Sequence, residues 1–372
     1  MYNILTLNKI AKCGTDILGD NYSVSDSCDT PDAVLVRSAS MHDTELPESL
    51  LAIARAGAGV NNIPIADCAA KGIVVFNSPG ANANAVKELV IAGLLLSSRR
   101  IVAGIEWAKT LKGNGDQVGK LVEKGKSNFA GPEITGKTLG IIGLGAIGIK
   151  VANAAAALGM KVVGCDPYLS EANKAKLSDC TVVDSNDEVY AVADYITVHV
   201  PLNDGTRALI NSNTIAKMKD GVRILNYSRD GLVDSADIIE ALKSGKISAY
   251  VTDFATDDIL GEEGVIALPH LGASTPESED NCAIMAANEV KDYLENGNIV
   301  NSVNLPALSK TRAGGTRVCV IAKADVDVEA IKSAAGSDDA ESATKGDYTY
   351  VIIDNAANAD IAVDGVIRVR SI

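Results

Sequence analysis

The segment Thr138–Gly148 runs from an apolar strand through the turn Gly-Leu-Gly-Ala-Ile-Gly into a helix-forming stretch. A strand that enters a helix through such a turn starts a βαβ unit, and this unit requires a parallel sheet. Gly143 permits the tight turn, Gly145 lets the backbone approach a pyrophosphate, and Gly148 lets the helix pack closely on the sheet. The spacing predicts a dinucleotide phosphate site formed by Gly143, Gly145, Ala146, Ile147 and Gly148.

The next strand, Lys161–Asp166, ends in an acid at the position where such units read the adenosine ribose. A carboxylate at Asp166 would accept hydrogen bonds from the ribose hydroxyls and repel a 2′-phosphate. This pattern favours NAD over NADP as the cofactor. The alternative is a structural turn followed by an unrelated aspartate.

Apolar strands alternate with helices over most of the 372 residues, a length that exceeds one ordinary core. The pattern predicts an α/β protein with two doubly wound parallel-sheet domains, Rossmann-like or flavodoxin-like, and a small C-terminal α+β domain of ferredoxin-like type. One continuous helical run is expected from about Ala85 to Leu111. The predicted domains are residues 1–92 with 275–305, residues 93–274, a linker at 306–316 rich in Gly, Pro and Ser, and residues 317–372. The last is expected to run strand, helix, strand, strand, helix, strand.

Charge and cysteine content exclude several classes of protein. The net charge of -14 argues against nucleic acid and anionic membranes as partners. The seven cysteines show neither a CxxC pair nor metal-ligand spacing, which suits a reducing compartment and predicts no metal site. No basic segment precedes an apolar signal core, and no apolar stretch is long enough to cross a bilayer. The expected location is the cytoplasm.

Two polar side chains follow strands of the second predicted sheet. Arg229 directly follows the predicted strand Val222–Ser228, and His270 follows the predicted strand Val265–Leu268. Carboxyl ends of parallel strands form the ligand-binding edge of doubly wound sheets. A guanidinium there could grip a carboxylate, or cap a turn, and an imidazole could exchange a proton with a hydroxyl.

The other two of the three histidines are weaker candidates. His42 lies in a polar loop. His199 lies in the apolar strand Tyr195–Val200, where a core or loop-edge imidazole is the favoured interpretation. We retain His199 as a candidate cofactor contact because it lies near the same sheet edge.

Four motifs in consistent order resemble the D-isomer-specific 2-hydroxyacid dehydrogenases. Besides the glycine loop, these are Asn226–Asp234 as the arginine signature, Pro269–Thr275 as the histidine signature, and Arg55–Asn62 with Asn77–Asn82 as the substrate domain of the phosphoglycerate dehydrogenases within that family. The similarity covers roughly Ala33 to Pro306. It implies that residues 1–92 with 275–305 bind substrate and that residues 93–274 bind NAD.

The resemblance also implies roles for single residues. His270 would be the acid/base, and Arg229 would bind the substrate carboxylate. Backbone groups of Ala58 and Gly59 with the amide of Asn82 would assist. Arg37 and Ser38 would hold a substrate phosphate, and Asp253 would contact the nicotinamide carboxamide. The implied activity is oxidation of 3-phosphoglycerate, the first step of serine biosynthesis, by a homodimer or homotetramer.

Two departures from the family pattern weaken parts of this prediction. The family orients its histidine with a glutamate, whereas this chain has Asp257-Asp258 at that place, so Asp258 is the best substitute. Residues 317–372 resemble an ACT domain in size and order, but Val320–Asp327 lacks the effector-binding loop. The prediction is a degenerate ACT-like domain without support for control by serine.

Two alternative functions remain open. One is a glyoxylate or hydroxypyruvate reductase, or another D-2-hydroxyacid dehydrogenase, on the same fold. The other is an NAD-sensing binding protein resembling a corepressor, against which the presence of both Arg229 and His270 argues.

Overall fold

The structure is a computed structural model that describes residues 1–312 and 314–372. The chain divides into two compact units: Met1–Asn82 with Pro276–Ile372, and Ala83–Thr275. This division differs from the predicted domains in two ways. The first boundary lies at residue 82 rather than 92, and the C-terminal residues group with the first unit. Ala313, inside the predicted linker, lies outside the described residues.

The amino-terminal part of the first unit is a five-stranded parallel sheet in the order β2-β1-β3-β4-β5. Its strands and helices are β1 (Tyr2–Leu7), α1 (Lys12–Thr15), β2 (Tyr22–Ser25), β3 (Ala33–Val36), β4 (Ala52–Arg55), α2 (Ile65–Ala70) and β5 (Val74–Asn77). Strands β3, β4 and β5 are almost wholly buried, which explains their largely apolar sequences.

The second unit is a seven-stranded parallel sheet in the order β12-β11-β10-β9-β6-β7-β8. Its strands are β6 (Thr138–Ile142), β7 (Lys161–Cys165), β8 (Thr181–Val183), β9 (Tyr195–Val198), β10 (Val222–Asn226), β11 (Ile247–Thr252) and β12 (Val265–Ala267). The strand order reverses at β6, so β6 and β9 flank the switch point where doubly wound sheets bind ligands.

The helices of this unit are α3 (Ala83–Arg99), α4 (Ile101–Thr110), α5 (Val118–Gly125), α6 (Ala146–Ala157), α7 (Glu171–Lys174), α8 (Asn186–Val192), α9 (Ser212–Ile215) and α10 (Ser235–Lys243), with 3-10 turns at Gly115–Gln117 and Lys126–Phe129. The predicted continuous helix from Ala85 to Leu111 is wrong. Arg100 has a φ of 48°, and this left-handed residue separates α3 from α4.

The chain then returns to the first unit through α11 (Pro276–Asn296). The C-terminal elements are β13 (Val318–Lys323), α12 (Val328–Ala335), β14 (Ala340–Lys345), β15 (Tyr348–Ile353) and β16 (Val366–Ser371), which form an antiparallel sheet in the order β14-β15-β13-β16. The predicted second helix of this domain does not form, and residues 354–365 are a loop instead.

One face of this sheet shares a hydrophobic core with the amino-terminal part of the unit. Cys319, Ile321 and Tyr350 pack in one cluster with Tyr293 of α11 and Phe76 of β5. Two arginines of β16 strengthen the junction, since Arg370 donates to the carbonyl oxygens of Tyr293 and Leu294 at 3.2 and 2.8 Å, and Arg368 donates to that of Leu50 at 2.5 Å. The C-terminal sheet is therefore part of the core of the first unit.

Among residues 1–312 and 314–372, no helix is long and apolar enough to cross a membrane. The same residues contain no group of three or more His, Cys, Asp or Glu side chains that could hold a metal ion.

Candidate cofactor and active site

The glycine loop joins β6 to α6 in the second unit. Gly143 has a φ of 94°, and a Cβ there would lie 2.5 Å from the carbonyl oxygen of His199. A Cβ on Gly148 would lie 2.0 Å from the carbonyl oxygen of Gly143, so both positions require glycine. At Gly145 a Cβ would meet no described atom within 4 Å, so the space beside this backbone is open to a ligand.

The first turn of α6 is suited to bind an anion. Gly145 is the N-cap and supplies no side-chain hydrogen bond to the turn. The first N–H groups of a helix lack acceptors within the helix, and the helix dipole favours negative charge there. Ala146 and Ile147 begin this turn, so their N–H groups are available to the phosphates of a dinucleotide.

Asp166 follows β7 and closes against the glycine loop. Its Oδ2 accepts a hydrogen bond from the backbone N–H of Leu144 at 2.8 Å, and its Oδ1 accepts one from that of Tyr168 at 2.8 Å. The side chain is half-buried, and each oxygen keeps a second lone pair. The carboxylate is thereby fixed next to the loop, where it can also accept bonds from ribose hydroxyls.

His199 directly follows β9 rather than lying within it, at the switch point of the sheet. Its Nε2 lies 3.0 Å from Thr197 Oγ1, and its Nδ1 is buried with no hydrogen-bond partner among the described residues. Burial lowers the pKa of His199 to about 3, so the imidazole is neutral. It is unsuited to proton transfer at neutral pH and is a neutral wall of the site.

Arg229 lies beyond the end of β10 and is exposed. Its Nη1 donates to the carbonyl oxygen of Ser228 at 2.6 Å, and its own carbonyl oxygen accepts from Asn226 Nδ2 at 3.0 Å. Ser228 is fixed in turn by a hydrogen bond from its Oγ to the carbonyl oxygen of Val198 at 2.6 Å. The turn is rigid, and most of the guanidinium donors face outward.

His270 lies just beyond β12 and is exposed. Its ring packs against Phe254 with a centroid distance of 4.8 Å. Asp253, which precedes Phe254 in the chain, is 1% exposed and accepts a hydrogen bond from the N–H of Gly272 at 2.8 Å. Burial raises the pKa of Asp253 overall, while the bond from Gly272 and the charge of His270 lower it. Asp253 is therefore a buried carboxylate that interacts electrostatically with His270.

Asp258 is placed differently from the prediction. It is exposed and accepts hydrogen bonds from the hydroxyls of Thr256 and Ser235, which lower its pKa. No hydrogen bond or ion pair within the described parts of the chain joins Asp258 to His270. The two nearby hydroxyls satisfy the carboxylate locally, so these contacts do not support an orienting role.

In the first unit, Arg37 follows β3 and forms an ion pair with Glu279 of α11, with Nη2 and Oε1 2.6 Å apart. The backbone N–H groups of Ser38 and Ala39 donate to Asn8 Oδ1 at 2.9 and 2.6 Å. The N–H of Ser38 is thus already paired, although its side chain is exposed. Sequence reasoning missed the roles of Asn8 and Glu279, since both lie far from residue 37 along the chain.

The loop after β4 offers unpaired donors. Asn77 Nδ2 donates to the carbonyl oxygen of Ala58 at 2.7 Å and holds the loop in place. Within residues 1–312 and 314–372, no group accepts a hydrogen bond from the backbone N–H of Ala58 or Gly59. The Oδ1 of Asn82 is buried and has no hydrogen-bond partner among the same residues. These groups can receive a small polar ligand such as a carboxylic acid.

A doubly wound sheet with a glycine loop at its switch point and an acid after the second strand defines a dinucleotide-binding domain of the Rossmann class. Residues 91–272 match the family described as "D-isomer specific 2-hydroxyacid dehydrogenase, NAD binding domain". These residues therefore form the NAD-binding domain of the D-isomer specific 2-hydroxyacid dehydrogenase family.

Relatives agree with this assignment. A D-3-phosphoglycerate dehydrogenase of Synechocystis is 35% identical over 329 residues, which are 83% of this chain and 57% of that protein. A solved, NAD+-bound 3-phosphoglycerate dehydrogenase of Entamoeba histolytica is 26% identical with a TM-score of 0.61 and covers 82% of this chain and 99% of its own. A glyoxylate reductase of Paecilomyes thermophila is 25% identical with a TM-score of 0.67 and covers 81% of this chain and 98% of its own. The chain thus spans a little over half the length of the first of these relatives.

Proposed function

We propose that the chain is an NAD-dependent D-2-hydroxyacid dehydrogenase that oxidises 3-phosphoglycerate to 3-phosphohydroxypyruvate, the first step of serine biosynthesis. The choice of this substrate rests on one observation. The half-exposed guanidinium of Arg37 lies in the same unit as the unpaired N–H groups of Ala58 and Gly59. A phosphate and a carboxylate on one small molecule need such a pair of sites. The relatives named D-3-phosphoglycerate dehydrogenase support this choice.

In this proposal the residues of the second unit carry the reaction. Bound in the glycine loop, NAD would supply the hydride acceptor for the reaction. His270 takes the hydroxyl proton on its imidazole, and Arg229 holds the substrate carboxylate with its outward-facing donors. Asp253 stabilises the protonated His270 by its buried charge, whereas the carboxylate of Asp258 accepts a hydrogen bond from Thr256. The predicted contact of Asp253 with the nicotinamide carboxamide remains part of the proposal.

The experiment is a substrate panel with purified protein, NAD and NADP. We expect NADH to form from 3-phosphoglycerate at alkaline pH and to be consumed by 3-phosphohydroxypyruvate. Arg37→Ala should raise the KM for 3-phosphoglycerate more than tenfold, because a charged hydrogen bond to phosphate is lost. An unchanged KM would remove 3-phosphoglycerate as the substrate.

The second candidate is a glyoxylate or hydroxypyruvate reductase. It is favoured by the ion pair between Arg37 and Glu279, which reduces the charge available to a phosphate, and by the similarity to a glyoxylate reductase. Faster turnover of glyoxylate or hydroxypyruvate than of the phosphorylated acid would decide for it. Tight binding of NAD without turnover of any acid would instead favour an NAD-sensing, corepressor-like protein.

We also propose that the chain assembles as a homodimer or homotetramer through α4. This ten-residue helix has no buried residue, although it carries Ile101, Val102 and Ile105, which are 39%, 42% and 51% exposed. An exposed apolar helix face of this kind marks an interface. Ile105→Glu should lower the molar mass in light scattering, whereas Lys112→Glu, in the polar loop beyond α4, should leave it unchanged.

Two further parts of the proposal concern the tail and the location. The strand order of the C-terminal sheet supports a degenerate ACT-like domain, here serving the core of the first unit. The seven cysteines are all free thiols, which suits the cytoplasm.

A further inference from the structure

The ion pair between Arg37 and Glu279 lies within reach of ligands. The two side chains are 41% and 42% exposed. Glu279 belongs to the first turn of α11, and its Oε1 accepts a hydrogen bond from Nη2 of Arg37. The remaining donors of the guanidinium can therefore bind an anion while the pair persists.

A second cation lies beside this pair. Arg55 Nε donates to the carbonyl oxygen of Arg37 at 2.9 Å, and its Nη1 would be 2.9 Å from a Cβ on Gly57. Its guanidinium thus packs against the loop that offers the N–H groups of Ala58 and Gly59. The cluster of Arg37, Arg55 and Glu279 has two positive charges and one negative charge.

We propose that Glu279 sets the charge selectivity of this cluster, by weakening the binding of a dianion more than that of a monoanion. The inference rests on the proposed role of Arg37 as an anion-binding residue. Coulomb repulsion between Glu279 and a ligand is proportional to the ligand charge. If Glu279 raises the Kd of a monoanion by some factor, it raises the Kd of a dianion by about the square of that factor. Glu279 thereby limits the preference of the chain for phosphorylated over unphosphorylated acids.

The test is Glu279→Gln, which keeps an acceptor for Arg37 and removes the charge. Equilibrium dialysis without NAD would measure binding of 3-phosphoglycerate and of D-glycerate, its unphosphorylated counterpart. We expect the Kd to fall about threefold for D-glycerate, whose one charge is its carboxylate, and at least tenfold for 3-phosphoglycerate, whose phosphate adds about two further charges. Glu277→Gln is the matched control, because it removes the same charge from the same helix turn. Residues two positions apart on a helix do not share a face, so its effect should be below about twofold.

Equal changes for both acids, or weaker binding of 3-phosphoglycerate to Glu279→Gln, would overturn the inference. Weaker binding would mean that Glu279 holds Arg37 in its binding position. If the unaltered protein bound neither acid, the proposed substrate would fail instead. The inference would then be decided by titrating the Arg37 Nε–H signal of 15N-arginine-labelled protein with sulfate and nitrate. The Glu279→Gln change should strengthen sulfate binding more than nitrate binding, and any other order would refute the inference.

Discussion

The carboxylate of Asp166 accepts a hydrogen bond from the backbone N–H of Leu144, at 2.8 Å, and so joins the end of β7 to the glycine loop. Asp166→Ala should weaken NAD binding about tenfold and relax the preference for NAD over NADP, because it removes both the ribose acceptor and the charge that repels a 2′-phosphate. Fluorescence titration with NADH and NADPH would measure both. Asp179→Ala, before β8 at the amino edge of the sheet, is the control. An unchanged NADH/NADPH ratio would mean that another residue reads the ribose.

Gly145→Ala should abolish NAD binding without loss of stability. The φ of Gly145 is -75°, and an added Cβ would meet no described atom within 4 Å, so only the approach of a ligand is obstructed. The comparison is Gly148→Ala, whose Cβ would lie 2.0 Å from a carbonyl oxygen and should unfold the loop. Thermal unfolding and NADH titration separate the two effects. Normal NADH binding by Gly145→Ala would place the pyrophosphate elsewhere.

His270→Ala should lower kcat about 10²- to 10⁴-fold while NAD still binds, since it removes the proton acceptor and leaves the glycine loop intact. The effect would be measured as kcat against the Kd for NADH. His42→Ala is a suitable control because His42 is exposed and its imidazole bonds to the carbonyl oxygen of Asn61. Loss of NADH binding in the His270 variant would point to a structural role.

Arg317 and Asp354 form a fully buried, bidentate pair at 2.6 and 2.9 Å in the C-terminal sheet. Asp354→Ala should lower the free energy of unfolding by about 3–5 kcal/mol, because it leaves a buried guanidinium without its counter-charge. Urea unfolding would measure this. The double change Arg317→Met with Asp354→Leu should cost less, because the buried guanidinium is removed together with its counter-charge, while Lys310 keeps its ion pair with Asp339. A larger cost would contradict this explanation. Asp347→Ala, in an exposed turn, should have little effect.

Glu289 of α11 is 8% exposed, and burial raises its pKa from 4.5 to about 8. Between these values the folded chain binds more protons than the unfolded chain, so stability falls as pH rises from about 4.5 to about 8 and then levels off. Glu289→Gln keeps a side-chain oxygen that can accept the bond from Asn301 and should remove this loss, which is at most about 5 kcal/mol. Unfolding measured from pH 5 to pH 9 tests this. Parallel profiles for both proteins would show that Glu289 titrates normally.

The cofactor half of the site follows from local sequence. Gly143 needs glycine locally for its φ of 94°, and Gly148 needs it because a Cβ would meet the carbonyl oxygen of Gly143. Asp166 follows a strand whose position the alternation of apolar residues predicts. The carboxyl edge of a parallel sheet then brings Arg229 and His270 to the ligand-binding side of the second unit. These steps need only short-range rules and the topology of the sheet.

Other features depend on contacts that no local rule contains. The predicted helix from Ala85 to Leu111 fails at Arg100, because a single left-handed residue interrupts an otherwise suitable pattern. The predicted second helix of the tail is absent, and the face of the sheet that carries Ile321 is covered by α11 in the core of the first unit. The docking of α11 on this sheet is a contact between segments far apart in the chain, so no local pattern contains it.

The sequence by itself determined a parallel α/β protein, its NAD loop and the edge of the sheet where Arg229 and His270 lie. Periodicity, glycine sterics and strand polarity act between near neighbours, so they can be read from the chain. Only the tertiary structure decided that Arg37 is paired with Glu279, 242 residues away, and that Asp258 bonds to Ser235 of α10. The partner of a charged side chain depends on which distant segments the fold brings within about 4 Å, and this is a property of packing.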